Sequence, residues 1–138
     1  MYATHLKAKN FEETRKIQIS QLLEDIKKKT INLSEKEKNK LGLIVCGDFN
    51  AEPHFDCIQM MEKEGVFNSV SKNFEFTTYK IREKEYCRII DYIFFSSNLK
   101  LICRNTNFSK EEIGINGLPN EKFPSDHLQL YAVFGLEN

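Results

Sequence analysis

Charge of one sign is missing from this sequence: 20 Lys and Arg balance 20 Asp and Glu. No global basic field therefore marks a nucleic-acid binder, and any recognition of phosphate has to be local. Tryptophan is absent, which, with the neutral balance, argues against a long single-stranded nucleic-acid track built from basic grooves and stacking rings. Long apolar runs are missing too. The longest, Leu41 to Cys46 and Ile89 to Phe95, contain or adjoin charge and are too short to cross a bilayer, so a soluble chain with no membrane partner is expected. Cys46, Cys57, Cys87 and Cys103 are widely spaced, form no Cys-x-x-Cys and follow no signal segment. That spacing excludes a secreted disulfide framework, makes a zinc site a poor expectation, and points to a reducing, cytoplasmic compartment. No internal repeat or low-complexity tract is present.

What is there suffices for one domain: 138 residues, 41% hydrophobic and 12% aromatic, enough to build a core. Residues 12–27 place Ile19, Leu22, Leu23 and Ile26 on one face at helical spacing, predicting an amphipathic helix. Residues 27–40 read as a polar surface connection. Leu41 to Cys46 is a continuous apolar run, predicting a strand buried on both faces. A second helix is expected from about Phe55 to Glu64, with Cys57, Ile58 and Met61 inward and Gly65 as its stop. Phe74 to Ile81 and Cys87 to Ser96 are rich in β-branched and aromatic residues and read as a hairpin turned by Arg82 to Glu85. Leu99 to Arg104 and, after a Pro119 to His127 loop, Leu128 to Phe134 complete the expected strands.

Several polar residues stand where the pattern calls for apolar ones. Asp48 and Asn50 directly follow the apolar strand, where α/β proteins gather ligand groups, although both are also ordinary turn residues. Asp91 lies inside Ile89-Ile90-x-Tyr92-Ile93. A carboxylate there needs a partner, either a cation such as Arg88 or a histidine that it orients. Asp126-His127 supplies such a histidine at the edge of the last strand; His5 and His54 are read first as ordinary surface histidines. An acid able to hold a metal, an amide for a phosphoryl oxygen and an Asp-supported imidazole together suit hydrolysis of a phosphate ester. Hard Mg²⁺ held by carboxylates would offset the charge that develops on the phosphoryl oxygens, and Asp48 is placed to activate water.

Thr4-His5-Leu6, Cys46-Gly47-Asp48-Phe49-Asn50, Arg88-Ile89-Ile90-Asp91-Tyr92-Ile93 and Pro124-Ser125-Asp126-His127 resemble, in order, the motifs of the endonuclease/exonuclease/phosphatase superfamily. Thr4 to Lys9, Leu43 to Pro53, Thr77 to Arg82 and Leu118 to His127 draw the resemblance closer to its deadenylase-like branch, across essentially the whole chain. The resemblance implies roles. Asp48 orients the attacking water and touches a metal, Asn50 holds a phosphoryl oxygen, Asp91 orients His127, His127 stabilises the oxyanion, and Asp126 helps to hold the metal. Lys7, Lys9 and Arg82, with Asn50, match substrate-phosphate positions; at Lys9 the branch generally carries arginine, which grips phosphate differently.

It further implies an α/β fold that is half of a four-layer α/β/β/α sandwich, with a mostly antiparallel sheet and two flanking helices. Residues 1–138 would be the carboxyl-terminal portion of one domain about twice this size, whose amino-terminal half, with its main metal-binding glutamate, has no counterpart here. The implied cofactor is Mg²⁺, one or two ions, or Mn²⁺. The implied substrate is the 2′-phosphate of NADP(H) or, alternatively, an RNA 3′ end degraded from poly(A); the remaining alternative is an inactive fragment or interaction module. Targeting, mitochondrial targeting included, would lie in the missing portion, and the oligomeric state is left open.

Overall fold

The computed structural model describes residues 1–106 and 108–136. In chain order its strands are β1 (Tyr2–His5), β2 (Ile44–Asp48), β3 (Phe67–Ser69), β4 (Thr78–Ile81), β5 (Glu85–Arg88), β6 (Asp91–Ser96), β7 (Leu99–Arg104) and β8 (Ala132–Leu136). Its helices are α1 (Glu12–Thr30), α2 (Glu35–Lys38), α3 (Asp56–Glu62) and α4 (Lys110–Ile113). The principal sheet has the order β1-β2-β6-β3, with β1 parallel to β2 and the other pairs antiparallel. β4 pairs with β5 and β7 with β8, each antiparallel. The mixed α/β, mostly antiparallel class read from the sequence is the class observed, with α1 and α3 as its two longer helices.

α1 forms because its apolar stripe has somewhere to go. Ile19 and Ile26 are fully buried with Val45, Ile58, Met61 and Phe94, and Leu22 and Leu23 pack on that cluster. Glu12 and Glu13 in the first turn and Lys27, Lys28 and Lys29 in the last complement the helix dipole. The helix runs three residues beyond the expected end, where Glu24–Lys28 and Asp25–Lys29 pair one turn apart at 2.7 Å. The polar connection is not wholly irregular either. Ser34 and Glu37 form a capping box that starts the single turn of α2. α3 buries Cys57, Ile58 and Met61 as expected, and Gly65, at φ 67°, ends the 3₁₀ turn that follows the helix.

Three strand expectations need correction. The run Cys87 to Ser96 is not one arm of a hairpin. It divides at Ile89–Ile90, so that β5 closes on β4 while β6 enters the principal sheet. The cause lies in distant groups: the backbone N–H groups of Ile90 and Asp91 donate to Thr77 Oγ1 at 3.0 and 3.1 Å, and Ile90 O accepts from Phe49 N at 2.8 Å. These bonds take the chain out of the hairpin ladder. β2, expected to be buried on both faces, buries Val45 completely but leaves Ile44 and Cys46 half-buried. The helices cover the Val45 face; on the other, the Phe134 ring of β8 packs tilted against Phe95 with centroids 4.9 Å apart. The last strand also begins at Ala132 rather than Leu128, because the residues before it bond elsewhere: Leu128 N donates to Thr77 O at 2.8 Å, and Asn105 Nδ2 donates to Gln129 O at 3.0 Å. Leu128 instead joins a second core with Phe76, Tyr79, Ile113 and Leu118.

Candidate active site

β2 delivers Asp48 at its carboxyl end, and the antiparallel register sets Asp91, the first residue of β6, directly opposite. Glycine is required just before it. Gly47 has φ 143°, and a Cβ there would lie 1.8 Å from the carbonyl oxygen of Thr4 on β1. The close approach brings His5 alongside, its Nε2 3.5 Å from Asp48 Oδ2. Asn50 adopts a left-handed backbone at φ 49°, which asparagine tolerates better than most residues. Its N–H donates to Asp48 Oδ1 at 2.8 Å, and its side-chain amide donates to Leu6 O at 3.0 Å. Both residues are therefore fixed by bonds to Leu6, just past the end of β1, and to each other.

His127 reaches the same place from the loop before β8. Its Nδ1 lies 3.0 and 2.9 Å from the two oxygens of Asp91. A carboxylate only accepts, so this pairing puts the imidazole hydrogen on Nδ1 and leaves Nε2 available for a substrate. Thr77 completes the support, donating its hydroxyl to Asp91 Oδ2 at 2.7 Å. Burial pushes the Asp91 carboxyl above the usual range, against the opposing pull of Thr77 and His127; the Asp48 carboxylate adds a smaller push in the same direction.

One ligand atom from each of Asp48, Asp91 and His127 can be chosen so that all lie within 4.8 Å of one another. The two carboxylates suit a hard divalent cation such as Mg²⁺ or Mn²⁺, while the imidazole, its Nδ1 hydrogen given to Asp91, stands beside them as a hydrogen-bonding group. Asn50, Arg82 and His127 line a cavity of about 200 Å³ together with Thr78, Lys80, Tyr86, Arg88 and Ile90. Of the other sequence-predicted residues, Asp126 places a carboxylate oxygen 2.7 Å from Lys80 Nζ, and the hydrogen bond from Lys80 holds that carboxyl below its usual range. Lys7 and Lys9 are exposed on the loop between β1 and α1 and do not line this cavity; the Lys7 ammonium lies 5.2 Å from the Phe11 ring.

Three groups escaped sequence reading. Thr77 looks like any strand threonine. Glu52 accepts from Arg88 Nε at 2.6 Å across 36 residues, a pairing no local pattern signals. Arg15, on the buried face of α1, is only 2% exposed. Its Nη1 donates to Lys7 O at 3.1 Å and Lys9 O at 2.6 Å, and its Nη2 donates to Glu12 at 3.0 Å. Glu12 also accepts from Cys57 N at 3.2 Å, next to the first residue of α3. The pair thus ties the Lys7–Lys9 loop to the helix that follows Asn50. The one available signal was a cation on the apolar side of an amphipathic helix.

The Endonuclease/Exonuclease/phosphatase family profile matches residues 18–127, and the chain belongs to that family. Among its relatives, nocturnin of Rattus norvegicus and of Homo sapiens are each 36% identical over 95% of this chain and 32% of their own length. The human nocturnin catalytic domain, solved with a bound sulfate anion, superposes with a TM-score of 0.73 at 28% identity, covering 98% of this chain and 46% of that one. ANGEL2, a 2′,3′-cyclic phosphatase, shares the fold at a TM-score of 0.76 and 22% identity, over 99% of this chain and 56% of its own. The chain thus spans about a third of the length of the curated nocturnins and about half of the solved catalytic domains. Among the described residues, no helix is long and apolar enough to cross a membrane.

Proposed function

We propose that this chain carries one side of a metal-dependent phosphoesterase site that removes the 2′-phosphate of NADP(H). The observation that carries the reading is the meeting of Asp48, Asp91 and His127 within 4.8 Å beside a cavity that also presents Asn50 and Arg82. Asp48 orients and activates the attacking water, with Asn50 on a phosphoryl oxygen. His127, held by Asp91, stabilises the oxyanion as charge develops. Asp48 and Asp126 would hold the metal, the latter once released from Lys80; Arg82 addresses substrate phosphate within the cavity, and Lys7 and Lys9 would do so from the exposed loop outside it. The metal, when bound, supplies charge that offsets the phosphoryl oxygens.

The same proposal makes residues 1–138 the carboxyl-terminal portion of a larger catalytic domain. The 46% coverage of the human domain supports this, as do Ile44, Cys46 and Ile93, left half-buried on the sheet face away from the helices. The companion portion would contribute the principal metal-binding glutamate. A second reading, a 3′-to-5′ poly(A) exoribonuclease, is favoured by 29% identity over 72% of this chain to the CCR4-Not complex 3′-5′-exoribonuclease subunit Ccr4 of Coccidioides immitis.

The test is to supply NADP⁺ and labelled oligo(A), with Mg²⁺ or Mn²⁺, to the chain alone and to the chain joined to a companion half. Inorganic phosphate from NADP⁺ is the expected product. AMP from oligo(A) would transfer the assignment to the exoribonuclease, and neither product from the joined protein would refute both.

A further inference from the structure

His127 sits in a loop, and a loop histidine that must meet a strand carboxylate needs its position set from outside the loop. Two consecutive threonines, Thr77 and Thr78, supply that hold where β4 begins. Thr78 donates its hydroxyl to Asp126 O at 2.7 Å, and Leu128 donates its N–H to Thr77 O at 2.8 Å. One bond thus falls just before the imidazole and one just after it. Thr77 and Thr78 are 0% and 3% exposed, so water does not compete for these bonds.

Thr77 also reaches the other member of the pair. A threonine hydroxyl has one hydrogen and two lone pairs. Both lone pairs are taken by the N–H groups of Ile90 and Asp91, at 3.0 and 3.1 Å. The hydrogen has two acceptors in reach, Asp91 Oδ2 at 2.7 Å and Arg88 O at 3.5 Å, and the shorter, charged one takes it. The hydroxyl is saturated, and its direction is set by backbone N–H groups as well as by the carboxylate. The γ-methyl restricts the rotamer further. Asp91 is therefore held with both oxygens toward His127 Nδ1, at 3.0 and 2.9 Å.

We infer that Thr77 is the positioning residue of the Asp91–His127 pair. Its hydroxyl aims the carboxylate, its carbonyl oxygen seats the segment that carries the imidazole, and these two bonds from one residue set the distance at which the partners meet. Thr78 secures the other side of the imidazole. The use made of His127 Nε2 rests on the phosphoesterase reading; the placement does not, and its test needs no turnover.

Nitrogen NMR of the histidine rings in the full 138-residue chain, at about pH 9, where an ordinary histidine is neutral, reads which ring nitrogen carries the hydrogen. The His127 signals are assigned by their loss in His127→Gln. Wild type is expected to hold the hydrogen on Nδ1. Thr77→Val should lower the ratio of the Nδ1–H to the Nε2–H form about tenfold, the worth of one hydrogen bond to a charged group, and Thr77→Ser should restore it. Thr78→Val loses a bond to the loop but none to Asp91, so it should lower the ratio less than Thr77→Val does. An Nε2–H form in wild type, an unchanged ratio in folded Thr77→Val, no recovery in Thr77→Ser or a larger change in Thr78→Val would overturn the inference. Should Thr77→Val fail to fold, Thr77→Cys, whose thiol is a weak donor, decides by the same ratio; failure of both to fold would leave Thr77 a structural residue only. Phosphate release by the chain joined to a companion half is scored separately, and its absence would count against the phosphoesterase reading and not against the placement.

Discussion

Replacing Arg15 by methionine tests how the loops around the site are held. The guanidinium makes two bonds to the carbonyls of Lys7 and Lys9, pairs with Glu12, and lies 5.4 Å from the Phe55 ring. Breaking a buried ion pair by removing one partner costs about 3–5 kcal/mol. Two terms reduce this. Methionine refills much of the stem volume, and Arg15 Nε, which has no hydrogen-bond partner, no longer carries its burial penalty of about 1–3 kcal/mol. A net loss of about 2–3 kcal/mol follows. It should appear in urea unfolding as a lower midpoint at unchanged slope. Because Glu12 would be left accepting only from Cys57, Glu12→Gln should recover about 1 kcal/mol in the Arg15→Met background. Amide exchange should rise in residues 7–10 while β2 and β6 stay protected. A loss below about 1 kcal/mol, or purely additive behaviour of the two substitutions, would refute the claim that this pair fastens the loops.

Gly47→Ala forces a Cβ against the Thr4 carbonyl at a φ that only glycine adopts freely; a loss of about 3 kcal/mol or more in thermal unfolding is expected, and a change under about 1 kcal/mol would contradict the β1–β2 register. Asp91 is raised by burial, so its contribution to stability is fully present below the unfolded carboxylate pKa and is lost as pH rises through the higher folded value. Asp91→Asn should therefore leave neutral-pH stability equal or improved while phosphate release falls about 100-fold or more; a parallel loss of both would make Asp91 a structural residue. Asp126 carries the opposite sign: held down by Lys80, it stabilises above the unfolded carboxylate pKa and loses this as pH falls through its own, lower value. The pair is half exposed, so Lys80→Met should cost about 0.5 kcal/mol at most, an effect erased by salt; a larger, salt-resistant loss would show the pair to be shielded. Saturating Mg²⁺ or Mn²⁺, at about 100 times its dissociation constant, should raise stability by about 2.7 kcal/mol and not do so in Asp48→Asn; equal shifts in both proteins would place the ion elsewhere.

How much of this was legible beforehand depended on the range of the interaction. The strand carrying Gly47-Asp48, the helix burying Ile19 and Ile26, and the isolation of Asp91 among apolar neighbours are properties of short windows, and they could be read. That Asp91 needs a partner followed from chemical need, while the choice of His127 over a cation such as Arg88 came from the family resemblance. What stayed hidden was decided by distant groups. Nothing between Cys87 and Ser96 announces a break, since the break is made by the hydroxyl of Thr77 and the N–H of Phe49. Nothing near Asp126 in the sequence announces Lys80, 46 residues away, as its partner. The three residues of β3 are too few for a periodic signal and become a strand by bonding to β6.

That break at Ile89–Ile90 has a consequence for discrimination. β5 ends at Arg88 and β6 starts at Asp91, so Arg88, which lines the cavity, and Asp91, which aims the imidazole, lie on one short, covalently fixed span. Their separation is a gauge length that breathing of the two sheets alters little. A ligand whose ester lies one bond nearer to or farther from the part of it that rests against Arg88 would be presented off register, however well its parts fit separately. Selectivity at such a site is selectivity for length.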